Sequence, residues 1–259
     1  MRAVTLVTGA SAGIGTALAH VFAAHGHELV LIARREDRLA ALAEAIASKG
    51  HPRPTFLPVD LERADAAERI AGMLVMLGLE PEIVVNNAGF GLVGAAASLD
   101  HAEQLSMIDL NVRALTELSL YWTDTLARRS GGILNVASVA GFLPGPGMAV
   151  YYATKAYVLS FSEALHRELK PRGVRVTALC PGPVPSEFQA RAGVRKESYP
   201  AVLVQPAERV AEAGYQGLKA GRRVVVPGLG NKLVTVLTRL IPRGAILAAT
   251  ERRNMRRNR

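Results

Sequence analysis

The chain has 259 residues, of which 49% are hydrophobic and 20% are charged, and it contains a single cysteine, Cys180. This length suits one α/β domain with a sizeable core, and one cysteine excludes an internal disulfide framework. The six histidines show no metal-ligand spacing, so no metal site is predicted. The sequence has neither a secretory signal nor a run of about 18 uncharged apolar residues, which favours a cytoplasmic protein.

The net charge of +9 lies in the C-terminal part of the chain. Residues 222–259 hold ten of the 31 Lys and Arg residues but one of the 22 acidic residues, so residues 1–221 are neutral. Nucleic-acid binding, which a pI of about 10.1 would otherwise suggest, is therefore not predicted for the domain as a whole. We divide the chain into a domain at residues 1–226 and a basic extension at residues 227–259.

Short apolar runs alternate along the chain with longer segments of helical periodicity, which indicates βαβ units around a parallel sheet. Seven strands are predicted, at Ala3–Val7, Glu28–Ala33, Thr55–Val59, Ile83–Asn86, Gly132–Ala137, Val174–Leu179 and Arg223–Val226. Six helices are predicted, at Ile14–His25, Arg35–Ser48, Arg63–Leu77, Glu103–Arg129, Val150–Leu169 and Ala207–Lys219. The expected fold is a single α/β domain with helices on both faces of the sheet.

A glycine-rich turn follows the first predicted strand and opens the first helix. Glycines in such a turn let the backbone approach a pyrophosphate, and the helix N-terminus offers N–H groups and a partial positive charge. The spacing here, G-x-x-x-G-x-G, differs from the more familiar G-x-G-x-x-G, and glycines also serve ordinary turns. The context of strand, turn and helix favours a dinucleotide site. Its candidate contacts are Thr8, Gly9, Ser11, Gly13, Ile14 and Gly15.

Two arginines, Arg34 and Arg35, follow the second predicted strand. An acidic residue at this place would bind the ribose 2′-hydroxyl of NAD, whereas guanidinium groups would clamp the 2′-phosphate of NADP. The sequence therefore favours NADP(H) over NAD(H). The alternative is that both arginines are solvated at the start of a helix.

Several further motifs give residues 3–226 a resemblance to the short-chain dehydrogenase/reductase family. Together with the turn from Thr8 to Gly15, they are Asp60-Leu61, Asn86-Asn87-Ala88-Gly89, Asn111, Ser138, the pair Tyr151 and Lys155, and Pro181-Gly182-Pro183-Val184. The resemblance implies a Rossmann-like, doubly wound fold and a homodimer or homotetramer. Within the family, the chain looks most like bacterial proteins with a basic C-terminal extension, near hydroxysteroid dehydrogenases and long-chain 3-oxoacyl reductases.

The resemblance also implies roles in cofactor binding. Asp60 would contact the adenine amine, and Asn87 and Gly89 would line the adenosine side of the cleft. Val184 and Ser186 would face the nicotinamide carboxamide; many family members have threonine where Ser186 stands, and the hydroxyl is retained. The remaining cofactor contacts would be Leu61, Ala88, Tyr151, Lys155, Pro181 and Gly182.

The candidate catalytic residues are those that could transfer a proton. Tyr151 and Lys155 are four residues apart, so they would project from one face of a helix. A phenol with a pKa of about 10 can donate a proton to a carbonyl oxygen, and we expect the Lys155 ammonium to lower that pKa. Ser138 would stabilise charge on the substrate oxygen. By resemblance, Asn111 would distort its helix and link the lysine to solvent through water.

Tyr152 is an alternative to Tyr151, because it precedes Lys155 by three residues and would also be a helical neighbour. Tyr151 is preferred because the family spacing is four and because Ser138 precedes this tyrosine by thirteen residues. A surface contact without a catalytic role is a third interpretation of the tyrosine–lysine pair.

The segment 183–206 is predicted to be irregular, and a loop of this length is usually functional. The resemblance implies that it is a mobile lid over the substrate. The candidate pocket residues are Phe90, Leu92, Phe142, Leu143, Phe188 and Tyr199. These side chains are mainly apolar, which predicts a hydrophobic ketone, aldehyde or secondary alcohol as substrate. Arg191, Arg195 and Lys196 would meet an anionic substrate group or else be solvated.

The extension mixes apolar residues with Lys232, Arg239 and Arg243, and Pro242 should interrupt any helix there. One hypothesis is an amphipathic segment that rests on an anionic membrane surface. The alternative is that it packs on its own core or on a partner subunit.

The sequence therefore predicts an NADP(H)-dependent oxidoreductase that acts on carbonyl or alcohol groups. The competing functions are a non-catalytic NADP(H)-binding redox sensor and a membrane-surface interaction protein.

Overall fold

The computed structural model describes residues 1–193 and 199–255. Its strands are β1 (Arg2–Thr8), β2 (Leu29–Ala33), β3 (Thr55–Pro58), β4 (Leu79–Asn86), β5 (Gly132–Val136), β6 (Arg175–Leu179) and β7 (Val224–Val225). They form one sheet in the order β3-β2-β1-β4-β5-β6-β7, and every neighbouring pair is parallel. The predicted Rossmann-like sheet of seven strands is confirmed.

Helices cover both faces of the sheet. The α-helices are α1 (Gly13–Ala24), α2 (Glu36–Ala47), α3 (Ala66–Met76), α4 (His101–Ile108), α5 (Leu115–Tyr121), α6 (Thr123–Arg128), α7 (Ala149–Leu169), α8 (Glu187–Ala192), α9 (Ala207–Lys219), α10 (Leu229–Leu237) and α11 (Arg243–Met255). Helices α1, α2 and α9 contribute to the hydrophobic core on one face, while α3, α5, α6 and α7 contribute to the core on the other.

Strand β2 explains why both faces need helices. All five of its residues are buried, and they alternate between the two cores: Leu29 and Leu31 belong to one, Val30 and Ile32 to the other. Successive side chains of a strand point to opposite faces, so a continuously apolar strand is stable only between two helical layers.

Two predicted elements differ from the structure. The predicted helix Glu103–Arg129 is helical over most of its length, but it begins at His101, widens into π-helical turns at Asp109–Ala114 and is broken at Trp122. Strand β4 begins at Leu79, four residues before its predicted start, and pairs with β1 through a register shift in which Glu82 is the extra residue. The polar and proline residues of this bulge interrupt the apolar pattern that the prediction relied on.

The extension forms two helices, α10 and α11, on either side of Pro242, which interrupts the helix as predicted. Within its described residues, the segment predicted to be irregular contains the short helix α8 and a 3₁₀ turn, Ala201–Leu203.

The position of the functional site follows from the strand order. Strands β1 and β4 are neighbours, but the chain winds outwards from them in opposite directions, towards β3 on one side and β7 on the other. Ligands of open parallel sheets bind beyond the carboxyl ends of the strands at such a switch point. In this chain Thr8 ends β1 and Asn86 ends β4.

Candidate functional site

A cavity of about 760 Å³ lies at the carboxyl edge of the sheet. The predicted site residues that line it are Gly9, Ser11, Gly13, Ile14, Arg34, Arg35, Asp60, Leu61, Asn87, Ala88, Gly89, Ser138, Tyr151, Lys155, Pro181, Gly182, Val184 and Ser186. Three other predicted residues, Thr8, Gly15 and Asn111, do not line the cavity but support residues that do. The structure thus brings together motifs that are up to about 180 residues apart in the sequence.

The glycine turn depends on side chains being absent. Gly9 and Gly13 have positive φ angles of 63° and 56°. A Cβ on Gly15 would lie 2.2 Å from the Gly9 carbonyl oxygen and 2.5 Å from Asn87 Nδ2. The turn and the first turn of α1 can therefore pack this closely only with glycine at these positions.

Thr8 ties this turn to the loop after β4. Its hydroxyl donates to the Val85 carbonyl oxygen at 3.2 Å and accepts from the backbone N–H groups of Asn87 at 2.9 Å and Ala88 at 3.1 Å. The Asn87 amide in turn donates to the Thr8 carbonyl oxygen at 2.9 Å. Thr8 is thus a positioning residue behind the cavity.

The N-terminus of α1 opens into the cavity and fits a phosphate group. Its N-cap, Ala12, makes no capping hydrogen bond through its side chain, and Ala12, Gly13 and Ile14 all line the cavity. The backbone N–H groups of a helix's first turn lack partners within the helix and carry partial positive charge. Together with the glycines, this arrangement suits the pyrophosphate of a dinucleotide.

The two arginines also line the cavity, and each contacts a carboxylate at its edge. Arg34 Nη1 lies 3.3 Å from Glu62 Oε1, and Arg35 Nη1 lies 2.8 Å from Glu187 Oε2. The Arg35 guanidinium also donates to the Ser11 hydroxyl at 3.2 Å. Both arginines are exposed, and both contact a carboxylate beside the phosphate cradle, so their role as a clamp for a 2′-phosphate stays a prediction.

Tyr151 and Lys155 project into the cavity from adjacent turns of α7. Lys155 is 5% exposed, and its Nζ donates to the Val136 carbonyl oxygen at 2.8 Å, 5.9 Å from the centroid of the Tyr151 ring. Ser138 follows β5, accepts a hydrogen bond from the Ala140 N–H at 3.1 Å and is hydrogen-bonded to Tyr151. A hydroxyl, a phenol and an amine thus meet at one end of the cavity.

Burial controls the protonation of this cluster. Burial raises the pKa of Tyr151, the Ser138 hydrogen bond opposes this rise, and the neighbouring Tyr199 and Tyr152 reinforce it. Burial also lowers the pKa of Lys155 to about 8. The net shift of the Tyr151 pKa is therefore upward, opposite to the direction expected from Lys155, because the cost of burying the phenolate dominates. At neutral pH Tyr151 holds its proton.

Asn111 distorts its helix as the sequence predicts. It lies fully buried in the π-helical turns Asp109–Ala114, where its Nδ2 donates to the Phe90 carbonyl oxygen at 2.9 Å and its Oδ1 accepts from the Phe90 N–H at 3.1 Å. A Cβ on Gly89 would lie 2.7 Å from Asn111 Oδ1 and 3.6 Å from Lys155 Nζ. Gly89 therefore lies close to both side chains, and their link through water remains a prediction.

Tyr152 lines the same cavity, but its surroundings differ from those of Tyr151. Its ring packs closely against Gly145, where a Cβ would lie 2.3 Å from the ring. The Ser138 hydroxyl is hydrogen-bonded to Tyr151. The geometry therefore favours Tyr151 as the proton donor.

Four of the six residues predicted to form the substrate pocket line the cavity. Phe90, Leu143, Phe188 and Tyr199 line it, whereas Leu92 and Phe142 do not; Phe142 packs against a core cluster instead. Of the candidate anion-binding residues, the Arg191 side chain and residues Arg195 and Lys196 lie outside the described part of the chain.

The extension forms part of the cavity wall, which the sequence did not indicate. Asn231 and Val234 reach the cavity from α10, and Arg253 reaches it from α11. The Arg253 guanidinium lies 5.0 Å from the centroid of the Tyr199 ring. Helical periodicity reveals an amphipathic segment but not the surface on which it packs, so no local signal identifies these residues. Other cavity residues that were not predicted include Met148, Gln189 and Leu203.

Residues 1–193 and 199–255 contain no group of three or more His, Cys, Asp or Glu residues placed to hold a metal ion. Over the same residues, none of the helices has the length and apolar character needed to cross a membrane.

Comparison with known proteins places the chain in a family. Residues 3–197 match the family model for short chain dehydrogenases. The chain belongs to the short-chain dehydrogenase family. It is 37% identical over 191 residues to sulfoacetaldehyde reductase 2 of Chromohalobacter salexigens, covering 73% of this chain and 75% of that protein.

Solved structures of other short-chain dehydrogenases support this family assignment. A short-chain dehydrogenase from Sphingobium yanoikuyae in complex with NADPH superposes with a TM-score of 0.79 at 33% identity, covering 93% of this chain and 95% of that one. A bulky-bulky ketone specific alcohol dehydrogenase from Comamonas testosteroni gives a TM-score of 0.76 at 30% identity, with 93% of each chain covered. This short-chain dehydrogenase is accordingly an oxidoreductase of alcohol and carbonyl groups whose fold binds a nicotinamide cofactor.

Proposed function

We propose that this short-chain dehydrogenase reduces a carbonyl compound with NADPH and that Tyr151 donates the proton. One observation carries the proposal: a half-buried tyrosine that keeps its proton at neutral pH lies beside Ser138 and Lys155, at the far end of a phosphate cradle. A redox sensor would need the cradle but not this set of proton-transferring groups.

The residues of the site have complementary tasks. When bound, the nicotinamide supplies the hydride that reaches the carbonyl carbon. Ser138 donates a hydrogen bond to the carbonyl oxygen and stabilises its growing negative charge. Tyr151 then transfers its proton to that oxygen. Lys155, whose pKa of about 8 keeps it largely protonated at pH 7, can return a proton to the tyrosine.

The arginine pair supports a preference for NADPH. A 2′-phosphate at the Arg34 and Arg35 guanidinium groups would replace the carboxylates they now hold. Replacing both with alanine should raise the KM for NADPH by roughly ten- to hundredfold per arginine, because charge-assisted hydrogen bonds contribute about 1.5–3 kcal/mol each. The KM for NADH should change little, since NADH lacks that phosphate.

Steady-state kinetics with both cofactors measures this effect. Arg38→Ala is the matched control, because Arg38 also contacts Glu187, at 3.8 Å, but does not line the cavity. An equal loss with NADPH and NADH in the double variant would contradict the phosphate clamp.

The cavity wall supports a hydrophobic substrate. Phe90, Leu143 and Phe188 contribute apolar surface, and the similar Comamonas enzyme is described as specific for bulky ketones. One observation favours a second class, a carbonyl with an anionic group. Arg253 lines the cavity, and it takes part in none of the ion pairs formed within residues 1–193 and 199–255. The relative from Chromohalobacter carries the name of a reductase of sulfoacetaldehyde, an anionic carbonyl.

A panel of matched neutral and anionic carbonyls separates the two classes. We expect NADPH oxidation to be fastest with bulky neutral ketones and aldehydes and to change less than about threefold in Arg253→Gln. The anionic class is correct if the wild type prefers anionic substrates and if Arg253→Gln lowers kcat/KM for those substrates at least tenfold.

The proposed assembly is a cytoplasmic homodimer or homotetramer, as is common in the family. Apolar side chains on helices α4, α5 and α7 support it, because they are exposed in the single chain. These are Leu105 and Ile108 on α4, Leu120 and Tyr121 on α5, and Tyr157 on α7.

A further inference from the structure

Helix α10 exposes its apolar side and buries its polar side. Asn231 and Thr235 are 1% and 7% exposed, whereas Leu229 and Leu233 are 84% and 58% exposed. The Asn231 amide donates to the backbone carbonyl oxygens of Leu203 at 3.1 Å and Pro227 at 2.9 Å. The helix is therefore held to the domain by polar contacts, and its apolar side remains available.

The exposed apolar residues continue beyond α10 through the connecting turn to α11. We call this set the outer tail face; it consists of Leu229, Leu233, Val236, Leu237, Leu240, Ile241 and Leu247, and each is at least 39% exposed. Scattered apolar residues are normal on a protein surface, but seven exposed apolar side chains within one short segment of the chain indicate an interaction site.

Cations flank the outer tail face. Lys232, Arg239 and Arg243 are exposed, and none of them joins an ion pair in the described part of the chain. Between residues 222 and 259 the one acidic residue is Glu251. A second copy of this face would bring like charges together, which disfavours self-association here. The apolar residues of α4, α5 and α7 offer a separate surface for a subunit.

We propose that the outer tail face docks onto an anionic lipid membrane. Leucine and valine side chains would enter the boundary between headgroups and acyl chains, while Lys232, Arg239 and Arg243 would pair with lipid phosphates. The inner side of α10 carries Asn231 and Val234, which line the cavity, so docking brings one wall of the substrate cavity to the lipid surface. This inference goes beyond the proposed function and does not require turnover.

Vesicle co-sedimentation of the full-length protein tests the proposal. We expect binding to vesicles of phosphatidylglycerol and phosphatidylcholine, weaker binding to phosphatidylcholine alone, and reduced binding at high salt. Leu233→Gln with Leu240→Gln should lower the partition coefficient at least about tenfold, because two leucines leave the interface. Lys232→Gln with Arg239→Gln should lower it roughly fivefold per charge, on anionic vesicles only.

The matched control is Val75→Gln with Met76→Gln, two side chains of α3 that are 65% and 80% exposed and lie outside the outer tail face. Binding of this control should equal that of the wild type. NADPH binding by every variant shows that it is folded. The proposal is overturned if the wild type does not bind anionic vesicles or if the control loses as much as the leucine variant. It is likewise overturned if the leucine variant keeps vesicle binding but loses oligomer mass in light scattering, because the occupant is then a second copy.

Discussion

Tyr151→Phe is expected to lower kcat about a thousandfold or more while leaving NADPH affinity within about twofold, since general acid catalysis contributes roughly 10²–10⁴-fold. The substitution removes only the hydroxyl. The phenyl ring can keep its contacts with Phe188, at 5.5 Å between centroids, and with Gly91, so the shape of the cavity is preserved. A loss confined to kcat would identify the phenol as the proton donor.

Stopped-flow oxidation of NADPH measures the chemical step, and fluorescence titration measures cofactor binding. Tyr152→Phe is the matched control, because it makes the same change at the next residue of α7 in the same cavity. We expect this control to retain activity within a few-fold. Loss of turnover in Tyr152→Phe, with turnover retained in Tyr151→Phe, would instead assign proton transfer to Tyr152.

The parts of the fold that were predictable are those with a local cause. Strand β2 has a continuously apolar sequence because both of its faces are covered by helices. The glycine turn is recognisable in the sequence because a side chain at Gly15 would clash with the turn. Tyr151 and Lys155 share a helix face through their spacing alone. Each of these features is determined within a few residues of the chain.

The parts that were missed depend on contacts between distant segments. The segment from Glu103 to Arg129 has helical periodicity, yet Asn111 turns inwards to bond the Phe90 backbone and the helix widens there. The direction of the Tyr151 pKa shift depends on how deeply the ring is buried, and the spacing of residues in the sequence does not indicate that depth. The placement of Arg253 in the cavity wall could not be predicted, because it depends on the path that the extension takes across the domain.

Gly15→Ala should abolish cofactor binding and destabilise the protein, although it adds a single methyl group. The new Cβ would lie 2.2 Å from the Gly9 carbonyl oxygen, a backbone atom that cannot move without opening the turn. Overpacking of this kind costs about 1–3 kcal/mol or more, and the cradle that holds the pyrophosphate would be displaced. We expect the NADPH Kd to rise at least about a hundredfold and Tm to fall by roughly 2–4 °C per kcal/mol lost.

Gly72→Ala is the control that separates this clash from the general effect of replacing a glycine. Gly72 lies exposed within α3, where an added Cβ would meet no atom within 4 Å. Alanine is favoured over glycine in a helix interior by about 1 kcal/mol, so this variant should melt slightly higher and bind NADPH normally. Isothermal titration with NADPH and thermal melts of both variants give the comparison. If Gly15→Ala bound NADPH as tightly as Gly72→Ala, the close packing of the turn would not be what forms the phosphate site, and the assignment of the cradle would have to be abandoned.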